Sequence, residues 1–224
     1  MRSTSIQHSS DPILERRRLM RPPYSSPKPA LFLDRDGVLI EDQHHICDPD
    51  NILLCPGGKT LLNKAMQEAW PVVLITNQSG ISRGYFNWQD YERITDRLLE
   101  LLGSTAPLAA IYANGYGPNA PAHSWRKPSP GMLLAAAKEL NLDLHNSILI
   151  GDRLSDIEAG ARSNLRYVVH ILSGHGKRER SYVKSRIDQK KRFTGESHQP
   201  KLLLLDSLDN FPHSLLHLPA KFSP

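Results

Sequence analysis

Short apolar runs alternate along this chain with longer stretches whose apolar residues recur at every third or fourth position. The runs at 30–33, 72–75, 108–113, 147–150 and 165–172 read as strands of a buried sheet. Between them, Leu61, Leu62, Ala65, Met66 and Ala69 predict a helix over 57–70. Tyr91, Ile94, Leu98, Leu101 and Leu102 predict a second, opened by Asn87 with Asp90 three positions on and stopped at Gly103. Ser129 and Pro130 predict the start of a third, which buries Met132, Leu133, Ala136, Ala137 and Leu140 and ends at Asn141. Ser155 is the expected cap of a short helix holding Ile157, Ala159 and Gly160. The run 202–205 predicts a last edge strand, with a helical turn near Leu208. Strands alternating with helices imply an α/β fold, a doubly wound parallel sheet with right-handed crossovers.

Three of these strands end in polar clusters, at the end of the sheet where ligands bind in open α/β folds. The first ends in Asp34 and Asp36, two positions apart, followed by Gly37. Alternate residues of an extended chain point the same way, so the two carboxylates can converge on one centre. The second ends in Thr76 and Asn77, where a hydroxyl and successive N–H groups can hold a phosphoryl oxygen. The third ends in Gly151, Asp152, Arg153, Leu154, Ser155 and Asp156. Arg126 and Lys127 sit in the loop before a helix N-terminus, where anions are favoured. Each cluster alone also reads as an ordinary turn or cap. Together they do not, because carboxylates at this density repel unless a hard cation neutralises them. Oxygen ligands without sulfur or imidazole argue for Mg²⁺. The segment 41–55 has no clear period and reads as a loop or short hairpin over the first strand end. It carries His44, His45 and Cys47, with no further ligand spaced for tetrahedral zinc.

Charge refines the domain picture. The chain has 224 residues and a net charge of +5. Residues 1–29 hold six basic against two acidic side chains, and 174–200 hold eight against three. The excess therefore lies outside the body of the domain, which is mildly acidic, and a nucleic-acid partner is disfavoured. We expect a flexible extension over 1–29, a catalytic domain over 30–173, a basic loop over 174–200, and an edge strand with a tail over 201–224. Residues 1–19 are expected to be dispensable, with Met20 a second candidate start. Two cysteines make no disulfide framework, and no apolar run reaches membrane-spanning length or resembles a signal core. The simplest reading is a cytoplasmic, monomeric enzyme without a membrane partner.

The polar strand ends carry a resemblance. Leu33-Asp34-Arg35-Asp36-Gly37-Val38 resembles motif I of the haloacid dehalogenase (HAD) superfamily, and Ile75-Thr76-Asn77 resembles motif II. Lys127 stands for motif III and Gly151-Asp152-Arg153-Leu154-Ser155-Asp156 for motif IV. The stretches 76–86 and 126–132 are further similar to D-glycero-D-manno-heptose-1,7-bisphosphate phosphatases, compact members without a large cap domain. Histidinol-phosphatases are a sister group. The resemblance implies a HAD-like sheet and Mg²⁺-dependent hydrolysis of a phosphomonoester, most simply a sugar bisphosphate. It casts Asp34 as nucleophile, Asp36 as acid and base, and Lys127 as the group that neutralises transition-state charge. Thr76 and the Asn77 N–H would bind phosphoryl oxygens, with Arg83 and Arg126 on the sugar or a second phosphate. The metal would be held by Asp34, the Asp36 backbone carbonyl and Asp152, with Asp156 orienting Lys127 or a metal-bound water.

The sequence departs from that group at 114–125, where its members carry a cysteine-rich zinc loop and this chain has no cysteine. Structural zinc is therefore not expected. Polynucleotide 3′-phosphatases share a similar loop after motif II and are an alternative. A catalytically dead binding module is disfavoured, because Asp34, Asp36, Thr76, Lys127 and Asp152 are all present.

Overall fold

The computed structural model describes residues 14–43, 48–103, 106–193 and 199–217. Seven strands form one sheet: β1 (Glu15–Leu19), β2 (Leu31–Leu33), β3 (Val72–Asn77), β4 (Leu108–Asn114), β5 (Ile148–Gly151), β6 (Tyr167–His170) and β7 (Lys201–Leu204). Their order is β1-β4-β3-β2-β5-β6-β7, and only β1 runs antiparallel to its neighbour. The central strand β2 is wholly buried, as its three apolar residues require of a parallel strand covered on both faces.

Among the described residues, five α-helices cover the sheet: α1 (Gly58–Gln67), α2 (Trp88–Leu102), α3 (Gly131–Leu140), α4 (Leu154–Arg162) and α5 (Gly176–Phe193). On one face Leu31, Leu33 and Leu74 pack with Leu61 of α1 and Ile94 and Leu98 of α2. On the other, Phe32, Ile75 and Leu149 pack with Met132, Leu133 and Ala136 of α3 and Ala159 of α4. The sheet is doubly wound, and no separate cap domain stands over it among the described residues.

The helix boundaries show where local signals worked. Asn87 caps α2 by accepting from the N–H groups of Gln89 and Asp90, while Asp90 returns the bond to the Asn87 N–H. Asn141 closes α3 in the left-handed conformation. Two expected caps are displaced. Pro130, not Ser129, is the residue before α3, and the Ser129 hydroxyl instead accepts from the Gly131 N–H. Ser155 lies inside α4; the cap is made by Asp156, whose carboxylate accepts from the Arg153 N–H.

Two segments differ from expectation altogether. Residues 15–19 are an ordered edge strand rather than part of a flexible extension. Alternate side chains of β1 reach opposite faces: Arg16 and Arg18 pair with Glu92 and Asp96 of α2, and Arg17 pairs with Glu139 of α3. The basic stretch after residue 174 is not a loop but mostly helix α5. Val183 anchors it against Ile157 and Val168. The segment after β2 is a loop with one antiparallel bridge, Ile40 to Leu54, flanked by Glu41 N–H donating to Leu53 and Cys55 N–H to Leu39. His44, His45 and Cys47 fall outside the described residues. No helix among the described residues is long and apolar enough to cross a membrane.

Candidate active site

The carboxyl ends of β2, β3 and β5 meet at one buried cluster. Asp34 leaves β2, Asp152 leaves β5, and Asp156 lies in the first turn of α4; one oxygen of each lies within 4.8 Å of the others. Lys127 comes in from the β4–α3 loop. Its Nζ is 2.9 Å from Asp34 Oδ1 and 2.5 Å from Asp156 Oδ1, and it donates to the Ile75 carbonyl at 3.0 Å. Asn77 fixes the lysine's backbone from β3, accepting from the Lys127 N–H and donating to the Lys127 carbonyl, both at 3.1 Å.

The approach is tight enough to dictate two glycines. A β-carbon at Gly37, whose φ is +82°, would lie 2.6 Å from the Asp152 carboxylate. One at Gly151 would lie 2.3 Å from the Asp156 β-carbon. Only hydrogen at these positions lets β2, β5 and α4 bring their acids together.

Electrostatics follow from this crowding. Burial pushes the Asp34 carboxyl up to about 6, with Lys127 opposing and Asp156 and Asp36 adding to the rise. Burial likewise pushes Asp152 up to about 8, helped by Asp34 and Asp156. For Lys127, burial favours the neutral amine, but Asp156 and Asp34 outweigh it and hold the ammonium charged above its ordinary range. Three buried carboxylates thus crowd around one ammonium that contacts two of them, Asp34 and Asp156.

The donor set fits a hard divalent cation. Asp152 Oδ2 accepts from the His175 N–H at 2.7 Å, whereas its Oδ1 is buried with no hydrogen-bond partner. Asp156 is committed on both oxygens, to Lys127 and to the Arg153 N–H. Asp34 and Asp152 are therefore the side chains free to hold a metal, with oxygen the only donor type. The Asp36 carboxylate does not join this cluster. It pairs with the Arg35 guanidinium at 3.1 Å and accepts from Gln78 Nε2 at 2.7 Å, with the Thr76 hydroxyl 3.4 Å away.

Above the cluster opens a cavity of about 560 Å³. Asp34, Asp36, Thr76, Asn77, Arg83, Arg126 and Lys127, all singled out in the sequence, line it together. Asp152 and Asp156 support its floor from below. Around the mouth stand Arg83, Arg126 and Arg153. Burial, then the charges of Arg83 and Arg153, lower the pKa of Arg126, whose guanidinium feels both of the others. Arg153, Gln78, Asp42 and His175 also line the cavity and were not singled out. His175 Nε2 lies 2.8 Å from Asp42 Oδ2, an ion pair when the imidazole is protonated. Position just past a strand end was the available signal for Gln78, Arg153 and His175. Nothing local marked Asp42, which the loop after β2 carries to the rim.

Comparison with known proteins agrees with the geometry. The family model described as haloacid dehalogenase-like hydrolase matches residues 30–164, and a second HAD-like hydrolase model matches 124–208. The chain belongs to the haloacid dehalogenase-like hydrolases. A D-glycero-beta-D-manno-heptose-1,7-bisphosphate 7-phosphatase of Mesorhizobium japonicum is 44% identical over 61% of this chain and 66% of its own length. This chain thus spans just under two thirds of that relative. One from Pasteurella multocida is 35% identical over 70% of this chain and 91% of its own. Among solved structures, D,D-heptose 1.7-bisphosphate phosphatase from B. bronchiseptica, complexed with magnesium and phosphate, is 27% identical. It superposes with a TM-score of 0.66 over 80% of this chain and 93% of its own.

Proposed function

We propose that this chain is a Mg²⁺-dependent phosphomonoester hydrolase that removes one phosphate from a sugar bisphosphate through an aspartyl-phosphate. The substrate we assign is D-glycero-D-manno-heptose 1,7-bisphosphate, cleaved at the 7-phosphate, as in the names of the relatives. The observation that carries the reading is the pairing of two charge environments in one cavity. A carboxylate–ammonium cluster lies at its floor and three guanidiniums stand at its mouth. One phosphate reacts at the first while the other is gripped by the second.

The residues divide the chemistry. Asp34 Oδ1 is held by Lys127 and by the Arg35 N–H, which leaves Oδ2 to attack phosphorus. As the P–O bond to the sugar breaks, Asp36 gives its proton to the leaving oxygen. It takes a proton back from the water that then cleaves the aspartyl-phosphate, returning Asp34 and releasing inorganic phosphate. Lys127, Thr76 and the Asn77 N–H face the equatorial oxygens, where negative charge gathers. Asp34, the Asp36 carbonyl and Asp152 would hold Mg²⁺, which supplies neutralisation of phosphoryl charge between the carboxylates. Every residue named comes from one chain, so the chemistry asks for no second copy. We place the enzyme in the cytoplasm.

The test is a turnover comparison with Mg²⁺ on heptose 1,7-bisphosphate, heptose 7-phosphate, histidinol phosphate and a 3′-phosphorylated oligonucleotide. The bisphosphate is expected to give the highest kcat/KM. Faster, steeply salt-sensitive hydrolysis of the oligonucleotide would replace this reading with the polynucleotide one.

A further inference from the structure

Strand β1 is the one antiparallel member of the sheet, and that direction has a consequence for the site. Running opposite to β4, it places its first residue against the carboxyl end of β4, with Glu15 opposite Asn114. The loop that leaves β4 there carries Arg126 and Lys127. Glu15 Oε1 accepts from the Trp125 N–H at 2.6 Å, immediately before that pair. One residue earlier, the Leu14 carbonyl accepts from the Gly115 N–H at 2.6 Å, at the opposite end of the same loop. Leu14 and Glu15 thus clamp both ends of a loop that has no metal-ligating cysteine to staple it.

The clamp is itself held in register. A one-residue slip of β1 would move Glu15 off the Trp125 N–H and put a different residue, Leu19 or Glu15, at one of the three arginine positions. Those arginines meet acids on α2 and α3 in alternation, so the slipped register sets Leu19 against Asp96 or Glu15 against Glu92 in place of an ion pair. On the face that Glu15 shares with Arg17, Tyr112 stacks edge-on against Trp125 at 5.4 Å and donates its hydroxyl to Glu139. The Glu15–Trp125 bond therefore closes onto a packed aromatic pair.

The geometry points to Glu15 as a positioning residue that sets the Arg126 guanidinium at the cavity mouth, acting through the Trp125 N–H. Lys127 has its own anchors in Asn77, Asp34 and Asp156. The Arg126 guanidinium donates to the Tyr116 carbonyl at 2.8 Å, and Tyr116 belongs to the same loop; the Arg126 carbonyl accepts from the Ser129 N–H, which holds its backbone but not its side chain. Loss of the Glu15 bond thus loosens the arginine before the lysine. The effect falls on the grip of the second phosphate and spares the chemical step. Its kinetic side rests on the bisphosphate reading above.

Full-length Glu15→Ala and Glu15→Gln decide the matter, because the glutamine keeps an acceptor oxygen and the alanine does not. With heptose 1,7-bisphosphate, Glu15→Ala is expected to raise KM about fivefold with kcat within about twofold, and Glu15→Gln to restore most of the loss. With p-nitrophenyl phosphate, which has no second phosphate, neither variant should move KM. Amide exchange should quicken at Trp125 in Glu15→Ala while the β1–β4 pairing stays protected. An unchanged KM on the bisphosphate, or an equal loss on both substrates, overturns the assignment. If the wild type does not turn over the bisphosphate, the function proposed above fails instead. The Trp125 exchange, quickened or not in Glu15→Ala, then decides for or against Glu15.

Discussion

The Lys127 ammonium lies 2.9 Å from Asp34 Oδ1 and is held at the same time by Asp156 on α4. One cation thus ties the carboxylate that leaves the central strand to the helix after β5. A charge so buried is costly unless both partners stay in place. Lys127→Met should therefore destabilise the fold by about 3 kcal/mol and lower kcat by about a thousandfold. Chemical denaturation and steady-state kinetics on the same sample check both numbers.

Proton release at this cluster sets a dependence on pH. Burial pushes Asp34 up to about 6 and Asp152 up to about 8, above the ordinary carboxylate range. Metal-free protein then holds protons that the unfolded chain has already released. Its stability is greatest at the acid side of that window and falls as pH rises through the two folded values. On the function proposed above, Mg²⁺ would bind the deprotonated carboxylates and restore what is lost. The rise in Tm on adding Mg²⁺ should accordingly be larger at pH 8 than at pH 6, the values to which burial pushes these groups. An equal or reversed gain in paired thermal melts would contradict the assignment of the metal site.

Gly37→Ala tests the packing behind that site. The added methyl meets the Asp152 carboxylate and is strained by the positive φ. It should cost about 2 kcal/mol and raise the Mg²⁺ concentration needed for half-maximal activity several-fold. A magnesium titration of the variant measures the second effect separately from folding.

The loop between β4 and α3 should carry no zinc. It has no cysteine, and Glu15 and Leu14 hold its ends instead. Elemental analysis of purified protein is expected to show less than stoichiometric zinc, and activity should survive a zinc-selective chelator while Mg²⁺ is present.

Much of the fold was legible because each parallel strand is a short apolar run and each core helix has an apolar stripe. The strand ends were legible for the same reason, since Asp34, Thr76 and Asp152 break those runs abruptly. What escaped is held by charge rather than by burial. β1 reads Glu-Arg-Arg-Arg-Leu, with no apolar alternation, and its pairing depends on acids of α2 and α3 far away in sequence. α5 is mostly polar in sequence, with Val183 the buried apolar anchor among its described side chains, so no periodicity announced a helix. The expectation of a flexible extension over 1–29 missed the strand at 15–19 for the same reason. Asp42 reaches the cavity only through the loop after β2, and its sequence neighbourhood resembles ordinary surface.

The nucleophile is the centre of the account, and the turnover of Asp34→Asn measures it most directly. The substitution preserves shape and removes the attacking oxygen from a buried carboxylate that touches Lys127. With intact mass verified before and after the assay, kcat should fall by about a thousandfold or more while Tm holds or rises. Hydrolysis by verified Asp34→Asn within about tenfold of wild type would contradict the aspartyl-phosphate mechanism.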